Sequence, residues 1–142
     1  MEIRKVDKED APMLFEWRND PVTRANSFST GSVDWEEHVK WLDQTIKRED
    51  RHLYIVQVEG VSIGTFRLDK LDSQRAEISI TVAPSARRKG YGSKILQEAA
   101  KVAGRLGYSS ILAKVKEENT ISKRMFLKAG YKGSSTVLEL TL

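Results

Sequence analysis

Residues 2–6, "EIRKV", alternate polar and apolar side chains and predict a short first strand. Residues 9–20, "EDAPMLFEWRND", change to helical spacing, with Asp10 placed to cap the start and Pro21 to stop the helix. Residues 21–32, "PVTRANSFSTGS", keep no period and predict a loop. Trp35, Val39, Trp41, Leu42 and Ile46 restore helical periodicity over 33–50, with Asp34 or Ser32 near its start. Residues 51–60 and 61–72 read as two strands joined at a tight Glu59-Gly60 turn, and 75–84, "RAEISITVAP", as a third. Together they predict an antiparallel meander.

Over 90–107 an apolar face runs through Ile95, Leu96, Ala99, Ala100, Val102, Ala103 and Leu106, with Gly107 suited to the C-terminal cap. A strand over 109–116, a short helix over 118–130 with Gly130 past its end, and a last strand over 131–142 complete the order. No repeat, linker or low-complexity segment interrupts it, and 142 residues with 39% hydrophobic side chains suit one domain, 1–142. The expected class is α+β, a mixed, mainly antiparallel sheet with helices against it.

The chain has no cysteine and two histidines, His38 and His52, so no metal site is expected. Its N-terminus is charged and no apolar run approaches the ~18 residues of a membrane span, which predicts a cytoplasmic protein without a membrane partner. The net charge of +4 is modest and acidic residues lie among the basic ones, so nucleic acid is not an expected partner.

One cluster does not blend into that mixed surface. "ARRKGYGSK", 86–94, sets Arg87, Arg88 and Lys89 against a Gly-Tyr-Gly turn where a strand ends and a helix begins. Glycines let backbone approach a ligand, and a helix N-terminus offers free N–H groups and positive potential. Together they suit a pyrophosphate. The dinucleotide pattern G-x-G-x-x-G fails because Ile95 stands where its last glycine belongs, and G-x-x-x-x-G-K-[ST] does not occur.

Arg87-Arg88-Lys89-Gly90-Tyr91-Gly92 resembles the [RQ]-x-x-G-x-[GA] pyrophosphate loop of the GNAT family of N-acetyltransferases. "ENTISKRMFLKAGY" resembles that family's later signature, with Asn119, Ser122, Phe126, Lys128, Gly130 and Tyr131 in register, and the element order agrees throughout. The resemblance implies a twisted sheet of about six to seven strands flanked by about four helices, with a splayed strand pair at the cofactor site, and acetyl-CoA as cofactor. It also implies that the backbone of Arg88, Lys89, Gly90, Tyr91, Gly92 and Ser93 binds the pyrophosphate, with Arg87 at the loop's entry. Ile80 and Val82 would pair with the pantetheine, Asn119 would contact that arm from the other side, and Ser122 would face the thiol region.

Acetyl transfer to a neutral amine needs few side chains. Positioning and a backbone donor supply most of the rate, with one base to take a proton. Ile80 N–H is the expected oxyanion donor. Glu77 is the expected base, because Glu77, Ser79 and Thr81 alternate onto one face of a strand. Its alternative role is a surface partner for Arg67 or Arg75. Many family members carry a tyrosine where Phe126 stands, and phenylalanine donates no proton, so the general acid is unassigned. A thiolate of pKa ~8.5 can leave unassisted.

The acceptor is read from residues 16–42. Trp17-Arg18-Asn19 and His38-Val39-Lys40-Trp41 resemble the W-R-N and H-x-x-W segments of acetyltransferases that act on the 4-amino group of a nucleotide-linked amino sugar in pseudaminic acid synthesis. This implies a small-molecule amine partner held by Trp17, Arg18, Asn19, Arg24, His38 and Ser79, with Arg18 or Arg24 on the diphosphate. Trp41 also reads as core and His38 as a surface or capping histidine. A protein N-terminal acetyltransferase and a non-catalytic acetyl-CoA-binding module stay open, as do monomer and homodimer.

Overall fold

The computed structural model describes residues 1–28, 30–133 and 135–142, so the loop expected at Ser29 and the strand expected at Ser134 lie outside the described residues. Among the described residues six strands form one sheet in sequence order: β1 (Glu2–Lys5), β2 (Arg51–Val58), β3 (Val61–Lys70), β4 (Arg75–Val82), β5 (Ser110–Lys114) and β6 (Val137–Thr141). All neighbours are antiparallel except β4 and β5, which run parallel because helix α4 (Tyr91–Arg105) crosses between them. The antiparallel β2–β3–β4 meander is present as the alternation predicts, turning at Glu59-Gly60.

α1 (Ala11–Asn19) and α3 (Trp35–Lys47) cover one face of the sheet, and α4 covers the other. Short α5 (Thr120–Lys128) leads into the last strand. The apolar face of α4 buries Ile95, Leu96, Ala99, Val102 and Ala103 against a layer that includes Tyr54, Phe66, Leu68 and Ile78. The start of α3 is capped by Asp34, which accepts from Glu37 N–H.

Three readings need correction. Residues Pro21–Asn26 form a helix, α2, where a loop was expected, and it brings the α-helices among the described residues to five. Asp20 starts it by accepting from the backbone N–H groups of Val22 and Thr23, and Pro21 occupies the first helical position, where its missing N–H costs nothing. Pro21 therefore ends one helix and opens the next. Asp10 makes no side-chain cap hydrogen bond for α1, its carboxylate instead taking both terminal nitrogens of Arg4. The last strand begins at Val137, with Lys132 joining it through one isolated bridge to Glu139.

Candidate active site

The basic turn is built for close approach. Arg88 holds φ at +65° and Gly90 at +77°, and α4 begins at the next residue. Left-handed backbone at a non-glycine residue costs about 1–3 kcal/mol and clusters at ligand clamps. Gly90 caps α4 without a side chain, leaving the first-turn N–H groups of Tyr91, Gly92 and Ser93 for a ligand. Gly92 has a second reason for bareness, because a Cβ there would collide with Met125 Sδ of α5. Arg88 and Lys89 are exposed, while the Tyr91 ring packs on the core.

Arg87 is committed elsewhere. Its Nη2 donates to Asp20 Oδ2 at 2.6 Å and to Thr23 Oγ1 at 3.0 Å, tying the entry of the turn to the start of α2. That contact holds the Asp20 carboxyl below the usual carboxylate range. Arg87 therefore positions the turn through its side chain rather than offering a free cation to phosphate.

The expected splay lies beside this turn. Ala83 N–H donates to Ile63 O and Leu71 N–H to Arg75 O, so odd-numbered residues of β4 point their backbone groups at β3. The even-numbered ones point at β5, whose pairing with β4 ends at Ile78 opposite Ala113. Among the described residues no strand pairs with Ile80 and Val82 on that side, and their N–H and C=O groups form an open edge that leads toward the basic turn. A free strand edge, an unpaired helix N-terminus and a glycine with open space above it fit the extended pantetheine and pyrophosphate of acetyl-CoA.

α5 flanks the same opening. Asn119 caps it, Oδ1 accepting from Ser122 N–H at 3.2 Å, so part of its polar capacity serves the helix. Phe126 is buried against Tyr131 with ring centres 5.0 Å apart, and its position is one of packing.

On the α1/α3 side of the sheet lies a cavity of about 160 Å³, lined in part by Trp17, Arg18, Trp41, Arg67, Ser79 and Thr81. Trp17, Arg18 and Ser79, three of the candidate substrate residues, thus share one cavity, and Trp41 lines it as well as packing on the core. His38 is fully buried. Its Nε2 lies 3.0 Å from Ala11 O, an acceptor only, so Nε2 carries the proton and Nδ1 accepts from Arg18 Nη1 at 3.1 Å. Burial pushes the His38 pKa down, in keeping with a neutral ring. His38 is therefore not a ligand contact or a surface group, but the support that orients Arg18.

Asn19 also turns inward to the protein, pairing its side chain with both N–H and C=O of Val33 at 2.9 Å. Arg24 Nε donates to Thr30 O. Both brace the segment between α2 and α3 and stand outside the cavity lining. Glu77 shares a strand face with Ser79 and Thr81 but lies beyond the lining, with Oε1 3.4 Å from Lys114 Nζ on β5. Arg67 and Arg75, its expected partners, pair with Asp69 and Asp72 instead.

Arg67 is the charged residue of the lining that sequence reasoning missed, as it missed Leu14, Leu53 and Thr65. The signal was available, because alternation along "TFRLD" places Thr65 and Arg67 on the face opposite buried Phe66 and Leu68, and register sets Arg67 across from Ser79.

A test of the turn follows from Gly90. A Cβ there meets nothing within 4 Å, so Gly90→Val leaves the packing intact and costs about 1–2 kcal/mol of left-handed strain. Its side chain would stand in the open space above the turn, where the resemblance puts the pyrophosphate. Calorimetric titration should show acetyl-CoA affinity falling at least tenfold while the variant remains folded. Unchanged affinity would remove the turn from the cofactor site.

The comparisons agree with this geometry. The family model described as Acetyltransferase (GNAT) domain matches residues 1–132. YwnH of Bacillus subtilis, whose name assigns it phosphinothricin acetylation only provisionally, is 29% identical over 138 residues, covering 92% of this chain and 83% of its own. The acetyltransferase PseH of Campylobacter jejuni is 24% identical over 100 residues, covering 70% of this chain and 61% of its own. Spermidine N-acetyltransferase of Vibrio cholerae, solved with CoA and spermine, shares the fold at a TM-score of 0.89 and 15% identity, covering 99% of this chain and 94% of that one. This chain belongs to the GNAT acetyltransferase family, and it is an acetyl-CoA-dependent N-acetyltransferase that acts on an amine.

Proposed function

We propose that the acceptor is a nucleotide-linked amino sugar, acetylated on its 4-amino group. The observation that carries this reading is convergence. Trp17-Arg18 at the end of α1 and Trp41 on α3, drawn from the two segments that resemble the sugar-nucleotide enzymes, line one cavity with Ser79 and Thr81 of β4. The likeness to PseH supports it. At about 160 Å³ the cavity would take a sugar ring or a phosphoryl group, with the nucleotide lying outside.

Acetyl-CoA, when bound, supplies an activated thioester carbonyl. Arg88 to Ser93 would hold its pyrophosphate by backbone N–H groups, and the open edge of Ile80 and Val82 would hold the pantetheine. Ile80 N–H would donate to the thioester oxygen as charge develops there. Glu77 Oε would accept the ammonium proton, directly or through water near Ser79 and Thr81. Phe126 contributes no proton, and a thiolate of pKa ~8.5 leaves without one.

The test is thiol release from acetyl-CoA by the purified protein, offered a UDP-linked 4-amino sugar, the free amino sugar and a peptide N-terminus. The nucleotide-linked sugar should be preferred at least tenfold. Ready acetylation of the peptide with no response to the UDP-linked sugar would overturn this acceptor, and CoA binding with no thiol release from any amine would favour a non-catalytic module.

A further inference from the structure

Two cations share one aromatic wall of the cavity. The Arg18 guanidinium carbon lies 4.4 Å from the Trp41 ring centre and that of Arg67 lies 5.8 Å from it. Both distances are within the range of cation–π attraction, and Trp41 thereby steadies two like charges side by side. Arg18 is half-buried, and among the described residues no carboxylate forms an ion pair with it. Its side-chain hydrogen bond runs to the neutral ring of His38. Arg67 Nε is taken by both oxygens of Asp69, at 2.9 and 3.1 Å, but Asp69 stands outside the cavity lining, and Nη2 points toward Ser79 Oγ at 3.5 Å.

The cavity wall therefore carries more positive charge than the protein neutralises there. Burial and then the Arg67 charge work against the Arg18 cation, and the more distant Glu37 carboxylate offsets them only in part, so the Arg18 pKa is held below its usual value. A half-buried guanidinium with no carboxylate in ion-pair contact is costly, and a cavity of this volume holds about five waters at ~30 Å³ each. An oxyanion of two or three oxygens would satisfy both forks, accept from Ser79 Oγ and occupy that space.

We propose that Arg18 and Arg67, backed by Trp41, form an anion subsite that selects acceptors carrying a compact oxyanion, a carboxylate or a phosphoryl group, at a fixed distance from the amine. This deepens the reading of the cavity as the acceptor site and rests on it. Arg67 becomes a specificity-determining residue and His38 a positioning residue that fixes the Arg18 fork. The same charge rejects polycations. The fold is shared with a spermidine acetyltransferase, but two guanidiniums repel an acceptor whose other end is an ammonium.

The test uses the full chain and matched acceptor pairs that differ in the anion: an amino acid against its amide for a carboxylate, and a UDP-linked amino sugar against the free sugar for a phosphoryl group, with spermidine as the cationic extreme. In one arm the anionic partner should lead by about 10- to 100-fold in kcat/KM. Arg18→Gln and Arg67→Gln should each collapse that ratio toward one while leaving the acetyl-CoA KM unchanged. The leading arm identifies the oxyanion. Equal use of both partners in both arms, a lead that survives both variants, or efficient use of spermidine would overturn the subsite without touching acetyl transfer. Calorimetry with CoA saturating, so that the basic turn is already filled, reads binding without turnover. Binding of the preferred anionic partner should be lost in Arg18→Gln, and unaltered binding would overturn the proposal. If no amine is acetylated but an anionic partner binds through Arg18, the subsite stands and the acceptor reading fails.

Discussion

Gly64→Ala should cost about 2–4 kcal/mol, a large part of the ~5–15 kcal/mol that keeps a domain folded. Gly64 sits in β3 beneath α4, paired with Val82, and a Cβ built there meets Thr81 O at 2.5 Å and Ile95 Cδ1 at 2.9 Å. The isoleucine methyl can rotate away, but the carbonyl belongs to the β3–β4 ladder and moves only if the ladder opens. The backbone-entropy gain of a Gly→Ala change, about 0.4–1 kcal/mol, is too small to offset that. Thermal unfolding should show Tm falling by roughly 10 °C. Gly104→Ala in α4 is the control, since its Cβ meets nothing within 4 Å and helix propensity favours alanine by up to about 1 kcal/mol. Equal stability of the Gly64 variant and its parent would mean that β3 and β4 do not approach this closely.

That close approach explains what could be read in advance and what could not. Strands β2 to β4 and helix α4 were legible because each commits one face to burial, and periodicity records that commitment directly. Helix α2 was not, because none of its six residues is buried and it carries no apolar period. Its existence depends on the Asp20 cap and on Arg87, which lies 67 residues away in sequence. Pairing across such a distance leaves no local trace.

The proposed cofactor side carries a sequence signal of the opposite kind. A pyrophosphate is bound by backbone, so its site needs particular glycines next to one another in sequence, and Gly90 and Gly92 display them. The proposed acceptor side is built from side chains on α1, α3, β3 and β4, and residue type alone does not say which way each one turns. Asn19 and His38 carry the same polar groups whether they meet a ligand or the protein. In the structure Asn19 closes on Val33 and His38 on Ala11 and Arg18. Arg67 went the other way, from a presumed surface partner of Glu77 to a wall of the cavity.

Glu77→Gln should give the largest loss of activity, because it leaves shape and hydrogen bonding nearly unchanged while removing the proposed proton acceptor. A positioned general base contributes about 10²- to 10⁴-fold. The loss should depend on pH with a definite sign. An alkyl amine of pKa near ~10 is almost wholly protonated at pH 6.5, where the reaction needs a base most, whereas near pH 9 a larger neutral fraction attacks without help. The variant should therefore be slowed about 100-fold or more at pH 6.5 and much less at pH 9, with acetyl-CoA affinity unaltered. Its ion pair with Lys114 offers the competing, purely structural account, and Lys114→Met separates the two. The Lys114 side chain is 59% exposed, and pairs of this kind contribute about 0–1 kcal/mol, so neither variant should unfold. If Glu77 is the base, Lys114→Met keeps most of the parent's rate. If the two variants lose activity equally, or if Glu77→Gln is as fast as the parent at every pH, Glu77 is only the partner of Lys114, and the proton leaves through water at Ser79 and Thr81.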